Sequence, residues 1–250
     1  MRMTTVLCYG GGRQTIAICV LIARGVLPKP DRVVMADTAR ENRSTWNYLE
    51  QHASPYLKTI GLEVEIAKHD LATVDLYDKH GLTLMPVFTA TGKTRSYCSV
   101  EWKKRVIDRH LRNDGVKSGD RWLGYAFDER RRWIGKHGVT ENGWRVICPL
   151  VDLMMNTETC LRLIESEGLP EPQHSSCYMC PHKRNSEWRA IRDDPEQWAK
   201  AIQIDEEVRE QDEKHAVWIH HDRVPLAEAN IDIDESEGKV QQCTLGMCFV

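Results

Sequence analysis

Short apolar runs alternate with longer mixed segments over the first third of the chain. Residues 4–9 and 32–36 are apolar and β-prone, and they predict two buried strands. Between them, residues 15–24 are apolar all round and predict a buried helix. Residues 44–60 predict an amphipathic helix that its first residue caps, and residues 62–67 alternate as a third strand. This order is typical of a doubly wound, mostly parallel sheet, so we expect an α/β, Rossmann-like fold.

The pattern is less regular in the middle of the chain. Residues 81–94 show little periodicity and predict a loop. Residues 100–112 predict a basic helix, and residues 121–127 predict a further strand. Together with the preceding elements, they lead us to expect one α/β domain over residues 1–150.

The last hundred residues predict helices and irregular segments. Helical patterns cover residues 157–167 and 187–212, the second with a break near Pro195. Beyond Val217 the pattern fades, which predicts an extended tail. We therefore expect residues 151–250 to form a small helical, cysteine-bearing region followed by a tail.

Composition narrows the class of protein. The chain has 250 residues, of which 41% are hydrophobic and 28% charged, as in an ordinary globular protein. A net charge of −3 argues against a surface that binds nucleic acid all over, but it leaves room for a local basic groove. No apolar stretch has the length of a membrane span, and the first residues do not resemble a secretory signal. We expect a cytoplasmic protein whose nine cysteines are thiols or metal ligands.

Three consecutive glycines, Gly10, Gly11 and Gly12, lie between the first predicted strand and helix. Glycines there let backbone N–H groups approach an anion, and the helix N-terminus adds partial positive charge. Arg13 adds a cation and Thr15 a hydroxyl. The spacing matches neither G-x-x-x-x-G-K-S/T nor G-x-G-x-x-G. The alternative is a tight turn that binds nothing.

Asp37 follows the second predicted strand. In a doubly wound sheet, a carboxylate at that strand end lies beside the first loop, where it could hold Mg²⁺ or a ribose hydroxyl. The alternative is that Asp37 caps the next helix.

These motifs and several later ones together resemble the PP-loop ATP-pyrophosphatase superfamily. Within this superfamily, the chain is most similar to the phosphoadenosine-phosphosulfate-reductase-like branch. That branch includes DNA phosphorothioation proteins. The resemblance extends to about Trp198. Its motifs are Tyr9-Gly10-Gly11-Gly12-Arg13-Gln14-Thr15; Ala36-Asp37-Thr38 with Glu41; Cys98-Ser99 with Lys103; Gly124 with Asp128, Glu129 and Arg132; Pro149-Leu150; and Ser176-Cys177 with Cys180-Pro181 and Trp188.

The resemblance implies a fold of the adenine nucleotide alpha hydrolase type and a set of site residues. The residues implied to bind nucleotide are Tyr9, Gly10, Gly11, Gly12, Arg13, Gln14, Thr15, Asp37 and Gly124. Asp37, Lys103 and Arg132 are implied to be catalytic. The loop departs from the family pattern S-G-G-x-D-S at Gly10 and Gln14, and the change at Gln14 removes an acidic group that could contact a metal or water.

The implied reaction uses ATP and Mg²⁺. Attack on the α-phosphate releases pyrophosphate and leaves an adenylated substrate that sulfur can enter, as in DNA phosphorothioation. The implied partners are ATP, DNA, and a cysteine desulfurase or sulfur carrier, with a homodimer as the expected assembly. Two rival functions stay open. One is a sulfonucleotide reductase that uses Cys243 or Cys248 as its nucleophile, and the other is a nucleotide-sensing or scaffold module without turnover.

The cysteines form a second group of candidates. Cys177 and Cys180 make a C-x-x-C pair, which is half of a metal site. The resemblance brings Cys98 near this pair, and Cys243 or Cys248 could supply the fourth ligand. Four thiolates suit a [4Fe–4S] cluster or Zn²⁺, and the resemblance favours the cluster. A redox pair without metal is a third option. The other cysteines lie in apolar contexts and are expected in the core: Cys8, Cys19, Cys148 and Cys160.

Basic residues are concentrated in two places. They lie on the predicted helix that carries Lys103 and in the segment that carries Arg132. Such groups suit recognition of phosphate in a nucleotide or a DNA backbone, or they form a solvated face. The members are Lys103, Lys104, Arg105, Arg109 and Arg112, followed by Arg130, Arg131 and Arg132.

Overall fold

A computed structural model describes residues 3–69, 75–211 and 216–233. Within these ranges, nine strands form two sheets. The strands in chain order are β1 (Thr5–Cys8), β2 (Arg32–Asp37), β3 (Val64–Lys68), β4 (Phe88–Thr89), β5 (Gly92–Lys93), β6 (Gly119–Leu123), β7 (Thr140–Glu141), β8 (Trp144–Ile147) and β9 (Val217–Trp218). The large sheet has the order β3-β2-β1-β6-β8-β7, and the small sheet has the order β5-β4-β9.

Nine α-helices connect and cover these strands within the described ranges. They are α1 (Arg13–Ala23), α2 (Arg43–Tyr48), α3 (Ser54–Thr59), α4 (Arg105–Asn113), α5 (Arg130–Trp133), α6 (Pro149–Asp152), α7 (Thr157–Ser166), α8 (Asn185–Arg192) and α9 (Pro195–Gln211). Two π-helical stretches continue them: Leu49–Ala53 joins α2 to α3, and Ser99–Lys104 leads into α4. A 3-10 turn forms at Leu226–Glu228.

The large sheet confirms the predicted fold class. Strands β3, β2, β1, β6 and β8 are all parallel, and β7 runs antiparallel to β8 at the edge. The chain winds outward from β1 through β2 to β3 and then returns to the other side of β1 with β6. The strand order therefore reverses between β1 and β6, which is where doubly wound folds open a crevice for ligands.

Both faces of the large sheet are buried, as the apolar run in β1 predicts. Successive side chains of a strand point to opposite faces. Leu7 packs with α1 and α7 on one face, while Val6 and Cys8 pack with α4 on the other. Helix α1 lies between the sheet and α7, which explains why it is apolar all round.

A second core surrounds the small sheet and is built from two separate stretches of chain. Leu76, Met85 and Trp102 come from the stretch before β6. Trp188 and Leu226 come from the stretch after α7. The pairing of β4 with β9 joins these two stretches directly.

Three local predictions are wrong. The side chain of Asn42, rather than Ser44, caps α2, because its Oδ1 accepts the backbone N–H of Ser44 at 3.0 Å. The predicted loop at 81–94 contains the hairpin of β4 and β5. The predicted tail beyond Val217 begins with β9 and packs into the second core. Strands of two residues are too short to leave a periodic signal.

The four cysteines expected in the core are buried there, which confirms the prediction for Cys8, Cys19, Cys148 and Cys160. Burial raises the pKa of Cys19 from its ordinary value of 9.0 to about 12, because a thiolate is poorly solvated in the apolar core. The fold contains no helix, within the described ranges, that is long and apolar enough to cross a membrane.

Because of this raised pKa of Cys19, we expect the free energy of unfolding to fall at high pH. Above pH 9 the unfolded chain releases the Cys19 proton, whereas the folded chain keeps it until about pH 12, so stability falls across that window. At pH 10.5 this one thiol accounts for on the order of 2 kcal/mol. Urea unfolding at pH 7.5, 9 and 10.5 under reducing conditions measures the effect. The matched variant Cys19→Ala should lose less stability over the same range, and equal slopes would contradict the assignment.

Candidate functional site

The crevice at the strand-order reversal brings three predicted site segments to one edge of the sheet. The glycine loop follows β1, Asp37 ends β2, and Gly124 follows β6. All three lie at the carboxyl ends of parallel neighbours, because β1 pairs with both β2 and β6. This is the edge at which ligands bind in open α/β sheets.

Two glycines of the loop make close contacts that a side chain would prevent. Gly11 has a φ of +72°, and a Cβ there would lie 2.5 Å from Cγ2 of Thr45. A Cβ on Gly12 would lie 3.0 Å from the hydroxyl of Ser175. Gly12 also caps α1 without a side-chain hydrogen bond. The loop thus carries backbone N–H groups at the start of a buried helix, an arrangement suited to an anion.

Gly124 is required for close approach of the β6 end to α1. A Cβ at Gly124 would lie 2.7 Å from Cγ2 of Thr15 and 3.2 Å from its backbone nitrogen. The hydroxyl of Thr15 donates to the carbonyl oxygen of Gly12 at 2.9 Å. Thr15 therefore fixes the loop, and Gly124 allows the two walls of the crevice to meet.

The structure gives two loop residues surroundings that the motif alone does not indicate. The Tyr9 side chain is 2% exposed and packs in the core under the loop, where burial raises its pKa. The Arg13 guanidinium forms an ion pair with Glu171 at 2.5 Å. The carboxylate of Glu171 therefore offsets the positive charge of Arg13, which the sequence predicts to face an anion. Gln14 lies in the first turn of α1 and is partly exposed.

A small cleft opens beside the glycine loop. Its walls are Tyr9, Gly10, Met35, Ala36, Glu41, Lys103 and Ile107. The ammonium of Lys103 lies 3.6 Å from Oε2 of Glu41, whose side chain is only 1% exposed. The other carboxylate oxygen, Oε1, is buried without a hydrogen-bond partner among the described residues. Lys103 thus lies beside the glycine loop and is held there by its ion pair with Glu41.

Lys103 carries its charge at neutral pH. Burial alone would lower the pKa of the ammonium, but the carboxylate of Glu41 outweighs that effect and raises it. A cation is therefore held next to the glycine loop, where it could face phosphate.

Asp37 does not cap a helix. Its Oδ1 accepts the backbone N–H of Ala39 at 2.8 Å and so closes the turn after β2. Helix α2 is capped by Asn42 instead. Ala39 has a φ of +55°, which shows how tightly the chain turns here.

The segment after this turn pairs with the segment that carries the C-x-x-C cysteines. Glu41 and Cys177 form an antiparallel bridge. The N–H of Tyr178 donates to the carbonyl of Arg40 at 2.9 Å, and Thr38 Oγ1 lies 3.6 Å from the Cys177 sulfur. The thiols are thereby attached to the cleft wall.

Cys98, Cys177 and Cys180 are brought together at this point. Burial raises the pKa of Cys98 to about 11, and it raises the pKa of Cys177 and of Cys180. Each thiol also acts electrostatically on at least one of the others and on Lys103. The Cys98 sulfur lies 3.2 Å from the hydroxyl of Ser96. Cys243 and Cys248 lie outside the described residues.

The spacing of the three sulfurs bears on the kind of metal they could hold. A single Zn²⁺ with bonds of about 2.3 Å requires sulfurs about 3.8 Å apart. The three sulfurs do not all lie within 4.8 Å of one another. Within the described ranges, only other groups of side chains meet that limit. As the structure places them, the three sulfurs are therefore too far apart to ligate one Zn²⁺ together.

Arg132 lies on the other wall of the crevice, in the segment after β6. Its guanidinium pairs with Glu129 and lies 4.6 Å from the ring centroid of Tyr125. The basic residues of the α4 region are more exposed and are partly neutralised. Lys104 pairs with Glu141 at 3.0 Å, and Arg105 pairs with Glu101.

Sequence reasoning missed two buried polar groups at this site. Glu41 appears in the second motif, but no role was assigned to it, because its pairing with Lys103 depends on the fold. Lys183 is 3% exposed and its ammonium donates to the hydroxyl of Ser176 at 2.6 Å. Lys183 lies in an irregular segment, where no periodic pattern indicates burial.

The fold and site together define a doubly wound α/β protein whose candidate site lies at the reversal of strand order. No protein-family model matches the chain, and no curated protein matches it. Among solved structures, it is similar to the U34-tRNA thiolase NcsA from Methanococcus maripaludis with its [4Fe–4S] cluster, at 14% identity and a TM-score of 0.47. That similarity covers 70% of this chain and 59% of the NcsA chain.

A second similar structure is phosphoadenylyl-sulfate (PAPS) reductase from Candida auris in a phosphate complex. The identity is 16% and the TM-score 0.45, and the match covers 68% of this chain and 75% of the other.

Proposed function

We propose that this protein is an ATP pyrophosphatase that adenylates a substrate and so activates it for sulfur insertion, with nucleic acid, as in DNA phosphorothioation, as the substrate. One observation carries the proposal. The glycine loop at the reversal of strand order shares a cleft with Lys103, and Lys103 adjoins three partly buried thiols. Groups suited to phosphate and groups suited to sulfur are thereby neighbours.

The proposed roles follow from this geometry. Backbone N–H groups of Gly11 and Gly12 bind phosphate oxygens at the start of α1. Lys103 and Arg132 supply positive charge from opposite walls of the crevice, where charge develops during transfer. The carboxylate of Asp37 would hold Mg²⁺, which offsets charge on the phosphates when bound.

The three thiols fit a [4Fe–4S] cluster as ligands. They are partly buried and protonated at neutral pH, so a metal would bind by displacing their protons. Cys98, Cys177 and Cys180 would supply three ligands, with Cys243 or Cys248 as the fourth or with one iron left without a protein ligand. The cluster would supply the sulfur chemistry, while Lys103 and Glu41 separate it from the nucleotide.

The proposal is tested by incubating anaerobically purified protein with ATP and Mg²⁺ and identifying the nucleotide products. AMP with pyrophosphate is the expected result. Release of sulfite from a sulfonucleotide with thioredoxin would instead support a reductase. ATP binding without turnover would support a sensing or scaffold role.

Lys103→Ala should lower the rate of AMP formation by roughly a hundredfold or more, as for other groups that stabilise transition-state charge. Lys104→Ala is the matched control, because Lys104 is the next lysine but pairs with Glu141 on the surface. The control should retain its rate. Equal rates in the two variants would remove Lys103 from the reaction.

A further inference from the structure

An exposed aromatic pair lies in the segment after β6. The Phe127 side chain is 44% exposed, and its ring stacks with that of Trp133 at a centroid distance of 6.0 Å and an angle of 28°. The indole N–H of Trp133 donates to the carbonyl oxygen of Phe127 at 3.2 Å. Trp133 also packs against the core on the α4 side of the sheet. The pair is therefore anchored on one side and open on the other.

Three arginines lie between the aromatic residues along the chain, and two of them are unpaired among the described residues. Arg130 and Arg131 are exposed on α5, and neither forms an ion pair with a described residue. The next residue, Arg132, differs because it pairs with Glu129 and packs on Tyr125. The segment thus presents two positive charges to solvent beside an open ring.

The segment is held firmly and lies next to the candidate site. The N–H of Ala126 donates to Oε2 of Glu129 at 2.9 Å, and the N–H of Phe127 donates to the carbonyl of Met155 at 2.8 Å. Asp128 Oδ1 accepts the N–H of Thr157 at 3.0 Å, which ties the segment to the start of α7. Because β6 pairs with β1 in parallel, this segment leaves the large sheet at the same edge as the glycine loop.

We infer that Phe127, Arg130, Arg131 and Trp133 dock a single strand of nucleic acid. This inference rests on the proposed function and names the surface that holds its substrate. An unpaired base stacks on the open ring of Phe127, and the neighbouring phosphates contact Arg130 and Arg131. Aromatic rings beside cations are the combination by which proteins hold single strands without reading their sequence. A strand docked here lies beside the crevice in which ATP is proposed to bind.

Fluorescence anisotropy with the full-length protein, without ATP, tests the docking surface. The probes are labelled twelve-residue oligonucleotides of deoxythymidine and of uridine. Phe127→Leu removes the ring but keeps apolar bulk, and it should weaken binding about tenfold, as expected for loss of one stacked base. Phe127→Tyr keeps the ring and should bind like the wild type. Preference for one probe identifies the source of the strand as DNA or RNA.

Charge is tested separately with Arg130→Ala/Arg131→Ala. Loss of two phosphate contacts should reduce the slope of log affinity against log salt by about 1.4. Lys29→Ala/Lys58→Ala is the matched control, since it removes two exposed positive charges that belong to neither basic group and should leave the slope unchanged. The inference is overturned if neither oligonucleotide binds, or if the Phe127→Leu and double arginine variants bind like the wild type.

The outcome is distinguishable from a failure of the proposed function. Strand binding is measured without nucleotide, and ATP turnover is measured by release of AMP. Normal strand binding with no AMP release would overturn the pyrophosphatase proposal alone. Normal AMP release with no strand binding would overturn the docking surface alone.

Discussion

Replacing Gly11 with alanine is expected to abolish ATP turnover while the protein stays folded. The new Cβ would lie 2.5 Å from Cγ2 of Thr45, so the loop or the start of α2 must shift. A displacement of about 1 Å in a group that positions substrate can cost roughly a hundredfold in rate. AMP release and equilibrium binding of ATP measure the effect, and thermal unfolding shows whether the fold survives.

Gly25 provides a matched control for this variant. Its φ of +71° nearly equals the +72° of Gly11, but a Cβ there would meet nothing within 4 Å. Gly25→Ala thus carries the same backbone strain without the clash, and it should keep its turnover. Adding Thr45→Ser to Gly11→Ala removes the clashing methyl group and should restore part of the activity. Normal ATP binding by Gly11→Ala would show that the loop does not hold phosphate.

Cys177→Ala should remove the iron from anaerobically purified protein. The wild type should be brown, with stoichiometric iron and sulfide, because Cys98, Cys177 and Cys180 are the ligands of the proposed cluster. Cys177 forms the backbone bridge with Glu41 and lies near both other thiols. Because it is one of the three proposed ligands, its loss should leave too few to hold the cluster. Iron and sulfide assays together with the visible absorbance spectrum measure the result.

Cys160→Ala is the control for the iron assay, since Cys160 is a buried thiol that belongs to the core around α7 instead. It should retain full iron. Full iron in both Cys243→Ala and Cys248→Ala would mean that only three cysteines hold the cluster. Stoichiometric zinc without sulfide, or unchanged iron in Cys177→Ala, would contradict the cluster.

The sequence predicts the fold where the signal is local and strong. Strands β1, β2 and β3 are buried apolar runs, and the glycines follow β1 directly, so their place at the sheet edge follows from the topology. The proximity of Cys98 to the C-x-x-C pair was available only from the resemblance, because no local pattern connects segments so far apart in the chain.

Pairings between distant segments were not predictable. Arg13 appears free in the motif, and only the fold brings Glu171 to it. The short strands β4 and β9 have no periodic signal of their own and form because they pair with each other. Glu41 becomes part of the candidate site for the same reason, since Lys103 approaches it from another element.

The second core also constrains how the chain is made. Residues 76–102 leave the ribosome at least 75 residues before residue 177 and its successors, which is roughly 4 to 15 s at ordinary rates of translation. During that interval Leu76, Met85 and Trp102 have no apolar partners from the later stretch, and β4 lacks β9. A nascent chain that stalls after residue 150 would expose this apolar surface to chaperones and proteases. Completion of the second core therefore depends on residues 177–231, which are synthesised later than residues 76–102.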